Sequence, residues 1–396
     1  MYAKILVALD GSKYSLTGGD IAVSIAQVLG SEIIATHIYD AGIHTTRFGE
    51  MEPVLPEQYQ DEKTINRLRL AHDDLINEGF DALSRGYVEE FVGAVKKKSV
   101  PVATTYREGR NYVQLINLIE DQKVNIVVLG AAGLGETDGR VGSNAQRVLR
   151  HSTCDVLISR KPWTSGGRIL VGIDGSEESF SALRKASFWA RALKKTILLV
   201  AAYDPEFHVR VFKTMAHSLS EERQEEVGLS KQESLHDQII DDGLGELYLG
   251  FLHDAERRCR ETGLECEINL LQAKPYKGVL NLVESEEIDL VVVGRFGHHR
   301  GELVKIGSNS EAVASLAPTN VLVTSPSEAK PLAEESEDAE MEWEQEAVDA
   351  LQRVPSFARP MARAAVENEI RAKGGDRVSL EDFRNVASKF GMGKPG

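Results

Sequence analysis

Short apolar runs separated by amphipathic stretches set the pattern of this chain. Ile5 to Leu9 is the first run, and it stops at Asp10-Gly11-Ser12, a turn that doubles as a helix N-cap signal. The spacing then predicts a helix from Ser15 to Leu29, with Ile21, Ile25 and Val28 at helical intervals, followed by a strand from Glu32 to Ile38. Further on it predicts a helix over Asn111 to Asp121 and a strand over Val124 to Leu129, whose apolar residues do not alternate with polar ones. Such a run suits a parallel strand buried on both faces. Asp155 to Ser159 closes this part as a last strand.

The same plan then repeats. Lys4-Ile-Leu-Val-Ala-Leu-Asp10-Gly-Ser12 returns as Arg168-Ile-Leu-Val-Gly-Ile-Asp174-Gly-Ser176, an offset of 164 residues. The offset holds at Tyr39 and Tyr203, His44 and His208, Phe48 and Phe212, His72-Asp73 and His236-Asp237, and Gly130 and Gly294. Past Gly133 it becomes 165, since Gly142-Ser143-Asn144 matches Gly307-Ser308-Asn309. Predicted strands of the second copy are Ile169 to Ile173, Ile197 to Ala202, Ile288 to Val293 and Asn320 to Thr324. Strands alternating with helices predict two tandem, doubly wound α/β domains with parallel sheets.

Two stretches break the plan. Residues 41–86 and 205–250 form long, polar, charged insertions that read as helical. Past Ser325 an acidic run from Glu334 to Glu342 reads as a solvated linker. Apolar periodicity returns at Trp343, with Ala347, Val348, Leu351 and Val354 on one predicted helix, Met361, Ala365 and Ile370 on a second, and Phe383, Val386 and Ala387 on a third. The resulting division is residues 1–162, 166–325, a linker at 326–342 and a helical module at 343–396.

With 42% hydrophobic and 27% charged residues the chain is globular, and disorder throughout is excluded. Forty-six basic against 61 acidic residues give a net charge of -15, which argues against a broad electrostatic grip on nucleic acid or anionic lipid. Three cysteines without metal-ligand spacing, and no long apolar span, lead to the expectation of a cytoplasmic protein without a membrane anchor.

Candidate chemistry concentrates in Gly294-Arg-Phe-Gly297, nine residues, then Gly307-Ser308-Asn309, directly after a predicted strand and opening a helix. Glycines admit close backbone approach, and a helix N-terminus offers free N–H groups and a positive dipole end to phosphate. Asp174, at the carboxyl end of its strand, stands where open α/β sheets bind ligands and suits ribose hydroxyls or a hydrated metal. On these residues the sequence resembles the universal stress protein family, whose nucleotide-binding members show Gly, two residues, Gly, nine residues, Gly, then Ser or Thr. The resemblance covers residues 2–325 and implies an adenine nucleotide alpha hydrolase-like fold. It also implies ATP, with or without Mg, as cofactor. It gives Asp174 the ribose side, Gly294, Gly297, Gly307 and Ser308 the phosphates, and Ala202 and Val293 the border of the adenine. In the family the last strands commonly pair across a dimer, which implies pairing of the two copies within this chain, with or without a further homodimer.

Copy one departs from the pattern, with eight residues between Gly133 and Gly142 and two carboxylates, Glu136 and Asp138, against Arg140 in that loop. Copy two offers His298, His299, Arg300 and Lys305 against Glu302, so phosphate is expected to prefer it. Asp10, Gly130, Gly133, Gly142, Ser143 and Asn144 form a second candidate site. The repeated histidines, His44 with His208 and His72 with His236, suggest metal or tetrapyrrole ligation, or else hydrogen-bonded core positions with His72 on the face of Ile65, Leu68 and Ile76. No Ser-His-Asp arrangement or carboxylate pair stands in a catalytic setting, so hydrolysis of ATP, if any, is expected to be slow.

The tail from Trp343 through Leu351, Pro355, Phe357, Arg359, Arg363, Glu367 and Ser379 resembles the small helical C-terminal domain of the B subunit of light-independent protochlorophyllide reductase. That enzyme's cluster-binding part has no counterpart here, so the resemblance implies a packing or protein-docking module and not reductase activity. Arg359 and Arg363 are the expected contacts to an acidic partner. The leading expectation is an ATP-binding regulatory protein that docks a partner; a metal or tetrapyrrole carrier and a scaffold without ligand are the rivals.

Overall fold

The structure is a computed structural model that describes residues 2–59, 61–135, 140–164, 166–205, 243–297, 305–325, 341–352 and 377–389, with isolated positions between them. His208, Phe212, His236, the loop residues 136–139 and 298–304, most of the acidic linker, and residues 353–362 lie outside the described residues.

In copy one, β1 (Lys4–Ala8), α1 (Lys13–Leu29) and β2 (Glu32–Tyr39) lead through α2 (Ala41–Met51) and α3 (Glu62–Lys97) to β3 (Val102–Glu108), α4 (Asn111–Gln122), β4 (Ile126–Gly130), α5 (Ser143–His151) and β5 (Asp155–Ser159). Copy two follows with β6 (Arg168–Gly172), α6 (Glu177–Leu193), β7 (Ile197–Tyr203), α7 (Leu244–Glu261), β8 (Cys266–Gln272), α8 (Pro275–Ser285), β9 (Ile288–Gly294), α9 (Ser308–Leu316) and β10 (Asn320–Thr324). Local chemistry fixes the helix starts. Ser12 Oγ accepts from Ser15 N–H at 3.1 Å, and Ser176 Oγ from Ser179 N–H at 3.2 Å, each capping the helix after its first strand.

All ten strands join one sheet in the order β3-β2-β1-β4-β5-β10-β9-β6-β7-β8. Within each copy the pairs are parallel; β5 and β10 meet antiparallel, with Val156 opposite Val323 and Ile158 opposite Val321. The copies therefore pair within the chain through their last strands. One face of the sheet packs Ile21, Phe91, Trp189 and Leu252 from α1, α3, α6 and α7; the other packs Leu115, Val148, Val279 and Val313 from α4, α5, α8 and α9.

The junction is asymmetric and charged. Asp155, buried with only 3% of its side chain exposed, accepts from Lys185 Nζ at 2.6 Å, the Tyr2 hydroxyl at 2.6 Å and Ser325 N–H at 2.8 Å. Burial, then the Asp155 carboxylate, pushes the Tyr2 phenol well above its ordinary value. Arg160 of copy one donates to the carbonyls of Ala314 and Thr319 around the end of α9, which satisfies acceptors the helix leaves open.

By packing the chain divides into two units, and the sheet lies in the one formed by residues 1–204 and 248–326. Among the described residues of the other, β11 (Glu342–Trp343) pairs parallel with β12 (Arg377–Val378) beside α10 (Gln345–Gln352) and α11 (Leu380–Lys389). Met341, Ala347, Val366, Ile370, Val378, Phe383 and Val386 form its core. The module is thus not purely helical, and its core begins two residues before Trp343. Trp343 Nε1 donates to Glu367 at 2.9 Å; Arg363, exposed as expected, is engaged with the same carboxylate at 2.8 Å. Among the described residues no helix is long and apolar enough to cross a membrane.

Candidate nucleotide site

Each half of the sheet reverses its winding at one place. In copy one the chain goes from β1 outward to β2 and β3, then returns to β4 on the other side of β1; copy two does the same around β6 and β9. The two connections leave in opposite directions and open a crevice beyond the carboxyl ends, where doubly wound sheets take ligands. Asp10 and Gly130 flank one crevice, Asp174 and Gly294 the other.

Both aspartates are anchored by the turn that follows them. Asp10 Oδ1 accepts from Ser12 N–H at 3.0 Å; Asp174 Oδ1 accepts from Ser176 N–H at 3.0 Å and its hydroxyl at 2.5 Å. Gly11 and Gly175 take left-handed φ of 75° and 83°, and a side chain there would also strike the rings of Tyr87 and Phe251. The other carboxylate oxygen faces the loop. A Cβ at Gly133 would lie 3.1 Å from Asp10 Oδ2, and one at Gly297 would overlap Asp174 Oδ2. Aspartate and second loop glycine therefore converge in both copies.

The first loop glycine has a different reason. A Cβ at Gly130 would stand 2.8 Å from the Ser15 backbone nitrogen, and one at Gly294 would stand 3.0 Å from Glu178 Cβ. Close packing of the strand end against the first turn of α1 or α6 demands glycine there, rather than the approach of a ligand. Gly142 and Gly307 cap α5 and α9, their N–H groups donating to Ala131 and Arg295 carbonyls at 2.7 and 2.8 Å. Ser143, Asn144, Ser308 and Asn309 are exposed in the first turns of those helices.

Asp10, Gly130, Gly133, Gly142, Ser143 and Asn144 all line one cavity of about 300 Å3 in copy one. Thr36, Ile38, Asn111 and Leu129 are among its other lining residues. These four were not singled out from the sequence, although Ile38 and Leu129 are the copy-one counterparts of Ala202 and Val293 at the 164-residue offset. Ala202 ends up near the end of β7 and Val293 near the end of β9, on the two sides of β6.

Arg295, inside the copy-two loop, was also missed. It is buried at 4% exposure and reaches into copy one, donating to the Leu149 carbonyl at 2.5 Å and the Cys154 carbonyl at 3.2 Å. Burial pulls its pKa down, offset in part by Cys154 and Asp155. His37, beside the cavity, bonds Ser84 Oγ through Nδ1 at 2.7 Å. The Ser84 hydroxyl proton goes to the Phe80 carbonyl, so His37 Nδ1 is the donor and its ring is the Nδ1–H tautomer. Burial pulls its pKa below the ordinary histidine value against the opposing effect of Asp10.

The described members of the repeated histidine pairs, His44 and His72, both lie against aromatic rings. His44 is exposed and tilts on Phe80, whereas His72 stacks on Phe48 at 4.5 Å. The hydrogen-bonded core position expected for His72 is not observed: its Nδ1 is buried without a hydrogen-bond partner, and its ring is held by stacking. Among the described residues no group of three or more His, Cys, Asp or Glu is placed to hold a metal ion. Burial pushes the Cys154 thiol up to about 11 and the Cys259 thiol up to about 12, which suits packing rather than reaction.

The sequence profile of the Universal stress protein family matches residues 1–160 and again 167–325. The chain belongs to the universal stress protein family. A second profile, the Proto-chlorophyllide reductase 57 kD subunit, matches residues 343–386. Universal stress protein YxiE of Bacillus subtilis is 29% identical over 161 residues, 40% of this chain and all of that protein. Universal stress protein MJ0531 of Methanocaldococcus jannaschii is 28% identical over 167 residues, 41% of this chain and 84% of its own length. The crystal structure of a universal stress protein from Archaeoglobus fulgidus aligns with a TM-score of 0.52 at 15% identity, over 83% of this chain and 97% of that one. At that identity it speaks for the fold of the two universal stress halves together.

Proposed function

We propose that the universal stress halves bind ATP in their switch-point crevices and that the bound nucleotide biases the conformation of the loops above them. The observation carrying this reading is the copy-one cavity: the six residues of the second candidate site, matched to copy two through the repeat, line a single space of about 300 Å3. That volume is at the lower end of small-ligand sites, about 300 to 1,000 Å3. The donor set fits the ligand. The free N–H groups of the α5 and α9 first turns suit phosphate oxygens, Asp10 and Asp174 suit ribose hydroxyls, and Ile38 and Leu129, or Ala202 and Val293, offer apolar walls to the base.

ATP with or without Mg is the ligand of this reading, and copy two, with Lys305 in its loop, is the tighter site. Regulation then requires different affinity for two loop states, since a ligand that binds both equally shifts nothing. The reading is of a binding protein, in which any hydrolysis of ATP is slow. The C-terminal module serves as the docking element for an acidic partner, with Arg363 among its exposed residues. A reducing, cytoplasmic setting belongs to the same reading, in keeping with only three cysteines in the sequence, in no paired spacing.

Nucleotide recovered from protein denatured after purification, compared between the wild type and the Asp10→Ala/Asp174→Ala double variant, tests this. Adenine nucleotide from the wild type and little from the folded double variant is the expected result. Equal recovery from both would remove the aspartates, and with them the site, from the account.

A further inference from the structure

Cys259 lies near the end of α7, fully buried, and Cys266 is the first residue of β8, half-buried against the same core. The chain returns tightly between them. Thr262 N–H donates to the Cys259 carbonyl at 3.0 Å and Gly263 N–H to the Arg260 carbonyl at 2.8 Å, with Gly263 at a left-handed φ of 76°. The turn brings the two thiols together: Cys259 donates to the Cys266 sulfur. Cys266 Sγ also lies 3.9 Å from the carbonyl oxygen of Glu256, about one turn before Cys259 on α7.

Packing does not call for sulfur at either place. At the 164-residue offset the copy-one counterparts are Val95, fully buried near the end of α3, and Val102, which opens β3 against the same core. Register fixes the equivalence as well, since Val102 stands opposite Ile33 in β2 and Cys266 opposite Ile197, 164 residues on, in β7. Valine therefore serves at both positions in one half of the sheet. The other half carries cysteine at both, and the two are in contact.

Taken singly, neither thiol is primed for attack: burial raises both above the ordinary value, that of Cys259 to about 12. Cys266 has two advantages. The hydrogen bond from Cys259 favours its thiolate, and its partial exposure at the start of an edge strand lets a small oxidant approach. We propose that Cys259 and Cys266 are a reversible disulfide site, closed by hydrogen peroxide and reopened by a dithiol reductant. The Cys266 thiolate attacks peroxide, an S–O bond forming as O–O breaks and hydroxide leaves, which takes up the Cys266 proton. Cys259 sulfur then attacks the sulfenic sulfur, S–S forming as S–O breaks, and the departing hydroxide takes the Cys259 proton. Two thiols lose two electrons, and one peroxide becomes two waters. Exchange with a dithiol restores both thiols and leaves the reductant as the disulfide. The closed bond ties the edge strand β8 to α7, whose Phe251 ring stands against Gly175 in the turn that anchors Asp174.

The full chain is treated with hydrogen peroxide, its remaining thiols are alkylated, and its peptides are mapped by mass spectrometry. The wild type is expected to lose two of its three free thiols together, with residues 259 and 266 linked within one chain and Cys154 alkylated, and to regain both with dithiothreitol. The rate of loss is expected to rise with pH, since Cys266 must first give up its proton. Cys259→Val, which installs the copy-one residue, is expected to leave Cys266 as a sulfenic acid that dimedone traps. Cys266→Val is expected to keep both remaining thiols free. Circular dichroism before treatment establishes that each protein is folded, and if a variant is not, the wild-type map decides alone. A folded wild type that keeps all three thiols, or one whose Cys266 proceeds to the sulfinic acid without linkage to Cys259, overturns the proposal.

Discussion

Gly297→Val is the sharpest perturbation of the copy-two crevice. Any Cβ at residue 297 overlaps Asp174 Oδ2, and the branched valine adds two methyl groups to the conflict. Either the loop withdraws or Asp174 turns away. Turning away breaks the hydrogen bonds of its Oδ1 to Ser176 N–H and to the Ser176 hydroxyl, which hold the carboxylate at the crevice. A hydrogen bond to a charged group contributes about 1.5–3 kcal/mol. Losing one such anchor, or the equivalent alignment of a ribose contact, lowers ATP affinity about 10- to 100-fold at copy two. The assay is calorimetric titration of ATP into the wild type and the variant, with far-ultraviolet circular dichroism to establish that the sheet persists. Gly79→Ala supplies the control: nothing lies within 4 Å of a Cβ there, so it should leave binding unchanged and stabilise α3 by up to about 1 kcal/mol. A Gly297→Val protein that is folded and titrates within twofold of the wild type would refute the assignment of this loop.

Lys185→Met should destabilise the sheet junction by about 3–5 kcal/mol in urea denaturation, because it leaves the buried Asp155 without its cation; adding Asp155→Asn should recover part of that loss, and purely additive effects would contradict the pairing. The depressed pKa of His37 means the unfolded chain takes up the proton first, so its contribution to stability is present above about pH 6.5 and is lost as pH falls below that value. In an NMR titration the His37 ring should turn over at lower pH than a free histidine, and His37→Asn should flatten the acid limb of stability; a midpoint at or above the ordinary value would contradict its burial. A chain ending at Ser325 contains every strand of the large sheet and should titrate ATP like the full chain, while proteolysis of the full chain should cut first between residues 326 and 340; aggregation of the truncated protein would mean the module is structural.

The buried strands were legible because both their faces are covered. β4, β5, β9 and β10 are nearly continuous Val, Leu and Ile, and the offset of 164 or 165 residues carries each one onto its repeat. β3 was not legible. It is an edge strand, Val-Ala-Thr-Thr-Tyr-Arg-Glu, with no residue fully buried and hence no apolar run or clean alternation. The two-residue strands of the C-terminal module are too short to show any period.

At the site, the aspartates and glycines could be read because backbone conformation and close packing demand those residue types. Thr36, Asn111 and Arg295 could not. Each looks like an ordinary member of its strand, helix or loop, and its part depends on what the fold brings beside it: the copy-one cavity, the Ile38 carbonyl, or the end of a helix in the other copy. The repeat held a usable signal even so, since Thr36 against Val200 and Asn111 against Pro275 are polar-for-apolar exchanges at matched positions.

The central claim, that the switch-point crevices are nucleotide sites, is tested most directly by calorimetric titration of ATP into the full chain after it has been stripped of endogenous nucleotide. The account expects saturable binding with at least one site per chain, occupied first in copy two and abolished when Asp10→Ala and Asp174→Ala are combined. No heat of binding and no saturation up to millimolar ATP, from a protein whose sheet is intact, would contradict it.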